Sequence, residues 1–227
     1  FAFDFDGTLS PIVENPESAC ASSKTLKLLE ALSHKGPVAV LSGRSLSDLK
    51  RKIGIRNIYL VGNHGLEGIH LKERKLEIAR SVTEKWRNTL STLTDNELGI
   101  SIEDKEFSLA LHFRKSKTKK QARTAIFEEV SRLNPAPRVI LGKSVINLLP
   151  AGAPHKGVAL LELMMHLGVQ SAFYVGDDDT DEDVFTLPEQ RIITVRIGKK
   201  STSRAQFYVN NQPAIHRVLK AILNFYE

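Results

Sequence analysis

The sequence predicts an α/β fold: a parallel sheet covered by helices, with an α+β module inserted into it. Three observations predict this. Short apolar runs alternate with helical patterns over residues 1–65, the middle of the chain turns to strands of period two, and the helix–strand alternation resumes from "HKGVALLELMMHLG" onward. Strands separated by helices pair in parallel, because a parallel crossover needs about a dozen residues of chain and usually takes a helix.

The elements follow in order. "FAFDF" reads as the first strand, and Leu26, Leu29 and Leu32 then recur at helical spacing. "VAVLSG" is a second strand, Leu46, Leu49 and Ile53 mark a helix, and "NIYLVG" is a third strand. Gly54 ends that second helix, since glycine takes the left-handed conformation of a helix terminus at little cost. In the middle, Leu76, Val82, Trp86, Leu90 and Leu93 share one helical face. "ISIED" and "FSLALHF" are close enough for a hairpin, Ile126, Val130 and Leu133 mark another helix, and "RVILG" with "SVINLLP" form a second hairpin. The insert is therefore expected over 66–149 and the α/β domain over 1–65 and 150–227, with a cleft between them. "AFYVGDD", "RIITVRIG" and a helix after Pro213 complete the domain.

Composition narrows the function classes. Of the 227 residues, 41% are hydrophobic and 26% charged, an ordinary globular balance. The single cysteine, Cys20, forms no internal disulfide, so packing must hold the fold. No apolar run approaches the ~20 residues of a membrane span, and no signal peptide is visible, so a cytoplasmic protein is expected, with no membrane partner. The chain opens mid-strand, which points to residues upstream. The net charge of +6 gathers partly in "RKSKTKKQAR", Arg114 to Arg123, which lacks interleaved aromatics. Such a run reads as a solvated helix start rather than a nucleic-acid surface, and the charge suits a small anionic substrate through steering.

Three strands end in polar clusters: "FAFDFD" in Asp4, Asp6, Gly7 and Thr8, "VAVLSGR" in Ser42, Gly43 and Arg44, and "AFYVGDDDTDED" in Asp177, Asp178, Asp179, Asp181 and Asp183. Ligands of parallel α/β sheets bind beyond the carboxyl ends of the strands, so all three clusters belong to one edge. So many acids together are tolerable only around a cation. Carboxylate oxygens without His or Cys suit a hard ion, and Mg²⁺ with a substrate phosphate fits. Ser42 offers a hydroxyl, Gly43 a close backbone approach, and Lys156 an ammonium at a helix start, which together suit a phosphate. Asp4 is placed to attack phosphorus, and Asp6 to protonate the leaving oxygen and then activate water.

"DFDGTLSP", "LSGR", "HKG" and "GDDDTDED" stand in the order and spacing of the haloacid dehalogenase superfamily, which the chain resembles. "SGRSLSDL", "GNHGLE", "EDKEFSLALHF" and "VGDDDTDEDVF" are more closely similar to the trehalose-6-phosphate phosphatase family, enzymes of trehalose biosynthesis. The resemblance implies a Rossmann-like core and an inserted cap domain of the C2 type. It implies Asp4 as nucleophile, Asp6 as acid/base with a carbonyl on the metal, Asp177 as direct metal ligand, and Asp178 and Asp181 in or near the surrounding shell. Ser42, Gly43 and Lys156 then bind phosphate, while Arg44, Asn63, His64, Glu103, Lys105 and Asn147 contact the sugar phosphate. Glu103 and Lys105 are expected at a hairpin bend. Family members carry an acidic and then a basic residue where "INLLP" has Asn147 and Leu149, which keeps open another glycosyl phosphate as substrate. A phospho-accepting signalling domain fits less well, since its lysine follows the acids and it needs no insert. A monomer is expected, because the insert can cover the site itself.

Overall fold

The computed structural model describes residues 1–68, 73–95, 98–188 and 191–226. In chain order the elements are β1 (Ala2–Phe3), α1 (Ser23–Ser33), β2 (Val38–Leu41), α2 (Leu46–Ile53), β3 (Ile58–Val61), α3 (Glu73–Leu90), β4 (Ser101–Asp104) and β5 (Leu109–His112). There follow α4 (Lys119–Val130), β6 (Arg138–Gly142), β7 (Val145–Leu149), α5 (Lys156–Leu167), β8 (Ala172–Gly176), α6 (Glu182–Phe185), β9 (Ile192–Ile197), β10 (Phe207–Val209) and α7 (Ile215–Asn224). The chain divides into two compact units, Phe1–Ile69 with Pro154–Glu227, and His70–Ala153. None of the described helices is long and apolar enough to cross a membrane.

The first unit is built on a six-stranded sheet of order β10-β9-β8-β1-β2-β3, every pair of it parallel. Both faces are covered, which is why its central strands are continuous apolar runs rather than alternating ones. Phe3, Val38, Val40 and Val175 face a core shared with Leu29 and Leu32 of α1, Leu49 and Ile53 of α2, and Ile215 and Leu219 of α7. Ala2, Ala39, Leu41 and Tyr174 face the other side, against Ala159, Leu160 and Leu163 of α5 and Val184 and Phe185 of α6. Helix ends follow their sequence signals. The Ser22 hydroxyl accepts from Thr25 N at 3.1 Å to cap α1, and Gly54 closes α2 in the left-handed region at φ 63°.

The second unit is an antiparallel sheet of order β4-β5-β7-β6 with α3 and α4 on one face. Leu109, Leu111, Ile146 and Leu148 pack there with Trp86, Leu90 and Ile126. The Trp86 indole, almost fully buried, donates to Pro135 O at 2.9 Å, so its polar edge is satisfied within the core. The register Glu103↔Ala110↔Asn147↔Ile140 puts a row of residues on the opposite face. A parallel sheet in one unit and an antiparallel sheet in the other are the strand pairings expected from the residue periodicities.

Candidate active site

Three neighbouring strands deliver the site, β1 and β8 its acids and β2 Ser42. Phe3 pairs with Val40 of β2 on one side and Val175 of β8 on the other, so Asp4, Leu41 and Gly176 lie level at the strand ends. Strand spacing is about 4.8 Å, which brings Asp4, Ser42 and Asp177 to one edge of the sheet. Asp4 continues the ladder, its N–H donating to Val175 O at 2.8 Å. Alternation turns its side chain to the α5 face, where Lys156 opens that helix. The Lys156 ammonium donates to Asp4 Oδ1 at 2.7 Å and to Asp181 Oδ1 at 2.8 Å, with all three side chains buried. Asp177 sits beside them, its Oδ1 accepting from the Thr8 hydroxyl at 3.2 Å. The turn that brings Thr8 there needs Gly7. Its φ is +85°, and a Cβ would stand 2.0 Å from Asp177 Oδ2.

The charges do not balance within the protein. Burial, with Asp181 and Asp177 nearby, pushes the Asp4 carboxyl well above the usual carboxylate range despite Lys156. Burial and then Asp181 push Asp177 up to about 7. Burial alone would lower the Lys156 ammonium, but Asp181 and Asp4 outweigh it and raise its pKa, so the lysine stays charged. Three carboxylates against one ammonium leave an excess that a divalent cation would offset. Asp4, Asp177 and Asp181 can each bring an oxygen within 4.8 Å of one another, and an all-carboxylate donor set suits a hard ion. Asp181 is the most engaged of the three. Its Oδ1 accepts from Lys156 and from Tyr174 Oη at 2.6 Å, and its Oδ2 from the N–H groups of Asp177 and Asp178, each at 2.9 Å. Coordinating capacity therefore rests mainly with Asp4 and Asp177. Asp178 is exposed and turns its carboxylate to the Asp179 N–H at 2.8 Å, capping a short 3₁₀ turn over Asp179–Asp181.

The remaining predicted residues of this unit gather on adjoining turns. Ser42 is buried, its Oγ accepting from Arg44 N at 3.2 Å. Its carbonyl accepts from His64 N at 3.0 Å, and Asn63 N donates to Arg44 O at 2.7 Å, which docks the β3 turn onto the β2 turn. Gly43 lies against the His64 ring. The Asn63 amide donates to Glu67 Oε2 at 2.5 Å, and the same oxygen accepts from Leu46 N at 2.9 Å. Asp6 stands outside the acidic triad. Its two oxygens accept from Arg44 Nε and Nη2 at 2.6 Å each, and the guanidinium also donates to Asp48 at 2.7 Å and to Pro16 O at 2.8 Å. Burial works against the Arg44 charge, yet Asp6 and Asp48 raise its pKa. The guanidinium also lies over the Phe5 ring at 5.3 Å.

In the second unit, Glu103 lies within β4 rather than at the bend, because pairing continues through Asp104↔Leu109. Lys105 is in the turn, with its N–H donating to Ser108 O at 3.0 Å. Its ammonium donates to Asn147 Oδ1 at 3.4 Å, and Glu103 Oε2 is 2.8 Å from His112 Nε2. The structure thus brings the three residues predicted in this unit onto one sheet face, across strands that the sequence only suggested were paired.

Two contributors at the acidic cluster had no sequence signal. Tyr174 reads as an ordinary strand residue in "AFYVG", yet its hydroxyl meets Asp181. Arg196 of β9 is buried, and its guanidinium donates to the carbonyls of Asp177 and Asp178, at 3.1 Å to the latter, and to Glu182 at 3.2 Å. Only the adjacency of β8 and β9 explains that role.

Known proteins are similar to this chain in sequence and fold. The profile of a family described as trehalose-phosphatase matches residues 2–213. A trehalose-phosphate phosphatase of Mycobacterium bovis is 35% identical over 193 residues, which make up 81% of this chain and 49% of that protein. The chain thus spans about half the length of the curated relatives it matches. The solved C-terminal domain of trehalose-6-phosphate phosphatase from C. albicans has a TM-score of 0.81 and 25% identity, covering 99% of this chain and 92% of its own. A haloacid dehalogenase-like hydrolase from Bacteroides thetaiotaomicron, with a TM-score of 0.67 and 15% identity over 97% of this chain and 98% of its own, shares the fold alone.

Proposed function

This chain belongs to the trehalose-phosphatase family, and from that membership we propose that it hydrolyses trehalose 6-phosphate to trehalose and inorganic phosphate with the help of Mg²⁺. One observation carries the reading: a buried lysine bridges Asp4 and Asp181 at the carboxyl ends of β1 and β8, with Asp177 alongside. In this reading residues 1–65 and 150–227 form the phosphatase core, and 66–149 form a cap domain.

Lys156 occupies Asp4 Oδ1, which leaves Oδ2 to attack phosphorus. The new O–P bond forms as the ester P–O bond breaks, and the departing sugar oxygen takes a proton from Asp6. Water then attacks the aspartyl-phosphate, giving its proton to Asp6, and the Asp4 carboxylate leaves. Lys156, charged throughout, faces the negative charge of the transferring group. Asp4, Asp177 and the Asp6 carbonyl, with Asp178 and Asp181 behind, would hold Mg²⁺, which supplies charge stabilisation at the phosphoryl oxygens. Ser42 and the Gly43 backbone bind the phosphate, and Arg44, Asn63 and His64 border it. Glu103, Lys105 and Asn147 read the sugar hydroxyls.

A second reading, a different glycosyl phosphate, is favoured by the neutral amide of Asn147 beside Lys105. A panel of sugar phosphates assayed for phosphate release separates them. Trehalose 6-phosphate is expected to be turned over best, with loss in excess chelator and recovery on adding Mg²⁺. Preference for another ester selects the second reading. No release from any ester, or full turnover in chelator, overturns both.

A further inference from the structure

The chemistry above gives no task to Tyr174, although its hydroxyl is fully buried and 2.6 Å from the carboxylate that ties the cluster together. We propose that Tyr174 is a positioning residue: by holding Asp181, it fixes both the Lys156 ammonium and the backbone turn that carries Asp177. The catalytic part of this rests on the phosphatase reading, while the metal-binding part does not.

The donors around Asp181 set the geometry. Oδ1 takes two, from Tyr174 and Lys156, and Oδ2 takes two more, from the N–H groups of Asp177 and Asp178. The carboxylate also rests on the strand: a Cβ at Gly176 would stand 2.2 Å from Asp181 Cγ, so only glycine admits it. Lys156 divides its ammonium almost evenly between Asp181 and Asp4, at 2.8 and 2.7 Å. That division depends on how much negative charge Asp181 Oδ1 has left to offer. With the tyrosine hydroxyl present, Oδ1 is shared and the lysine can serve Asp4. Without it, Asp181 becomes the stronger pull, and the lysine shifts away from Asp4, whose other oxygen must meet phosphorus. A carboxylate short of one donor also turns about its Cα–Cβ and Cβ–Cγ bonds, loosening its hold on the two N–H groups, and Asp177 follows. The tyrosine ring packs edge-on to Phe185, with centroids 6.0 Å apart.

The plain alternative is that Tyr174 only fills the core. Tyr174→Phe separates the two, because it keeps the ring and removes the oxygen. The measurements are thermal midpoint, Mg²⁺ titration by calorimetry, and kcat and KM on trehalose 6-phosphate, made on the full chain and beside Phe185→Leu. For Tyr174→Phe, Mg²⁺ affinity or kcat is expected to fall about 10- to 100-fold, the usual cost of losing a partner behind a ligand, with KM within about twofold. Phe185→Leu should lower the midpoint and spare both quantities. Tyr174→Phe with Mg²⁺ affinity and kcat within about twofold of the parent overturns the proposal. So does an equal kcat loss in Phe185→Leu, or a Tyr174→Phe chain that does not fold. If the parent releases no phosphate from any ester, the phosphatase reading fails and the Mg²⁺ titration alone decides the role of Tyr174.

Discussion

The two units spend their polar residues differently. In the first, 16 basic residues meet 16 acidic ones, and the key charges are buried and joined to one another: Lys156 to Asp4 and Asp181, and Asp181 to two backbone N–H groups. In the second, 16 basic residues face 10 acidic ones, so the whole excess of +6 lies there. Asn147 is buried there, but the Glu103 side chain is 51% exposed and Lys105 reaches Asn147 only at 3.4 Å. A buried network fixes geometry and fails when one member is lost, whereas an open face lets single residues change at little cost to folding. That contrast suits reaction chemistry in the first unit and substrate choice in the second.

The hardest break is at Asp4, the proposed nucleophile. Asp4→Asn should abolish any covalent phosphoenzyme and cost on the order of 10³-fold or more in turnover, whereas Asp6→Asn should still bind substrate and lose about 10²- to 10⁴-fold. Mass spectrometry of acid-quenched protein decides it, and a phosphoryl group found elsewhere than on Asp4 refutes the assignment. Next comes Lys156→Ala, which strands Asp4 and Asp181 as buried carboxylates. Denaturant melts in chelator should show a loss of about 3–5 kcal/mol. A change under about 1 kcal/mol would mean that the network is not the tightly coupled unit its distances indicate.

The second unit should answer more gently. Glu103→Ala and Lys105→Ala should each lower kcat/KM on trehalose 6-phosphate about ten- to a hundredfold, from the loss of hydrogen bonds worth about 1.5–3 kcal/mol. Hydrolysis of a small aryl phosphate and the melting midpoint should barely move. Equal losses on both substrates would erase the contrast between the units. The smallest expected effect is one of pH. Asp177 holds its proton more tightly folded, at about 7, than unfolded, at 3.8. Its contribution is therefore complete below about pH 4 and is lost as pH rises through about 7, on the order of 1–2 kcal/mol after solvent screening. Chelator-treated protein should melt at lower denaturant at pH 8 than at pH 5, and saturating Mg²⁺ should reverse that slope, since the ion needs the ionised acid.

Much of this was legible in the sequence because it depends on local rules. Apolar runs became strands where they were expected, Gly54 closed its helix, and "DFDGT", "LSGR" and "GDDDTD" fell at strand ends because the parallel order requires it. What escaped depends on distance or on a single rotation. β10 is only Phe207–Val209, too short to show a period. Spacing could not say which acid of "DDDTD" turns inward; a 3₁₀ turn buries Asp181 and leaves Asp178 outside. Arg44, assigned to the substrate by resemblance, spends its guanidinium hydrogen bonds on Asp6, Asp48 and Pro16, partners 42 positions apart in the chain from Asp6 to Asp48. Tyr174 and Arg196 matter only because strands place them behind the acids.

The pairing of β1 with β8 sets a timetable for synthesis. Phe3 meets Val175, 172 positions later in the chain. At about 5–20 residues per second, a ribosome takes on the order of 10–30 s to cover that distance. Meanwhile β1 can find β2, but its other edge has no partner. Residues 70–153, whose strands pair with close neighbours, emerge complete in that interval and can form first. Asp4 is made well before Lys156, Asp177 and Asp181, which follow it by 152 to 177 positions. A nascent chain from which residues 70–153 have emerged but Lys156 has not should therefore carry a folded second unit and an Asp4 still without its lysine and acidic neighbours.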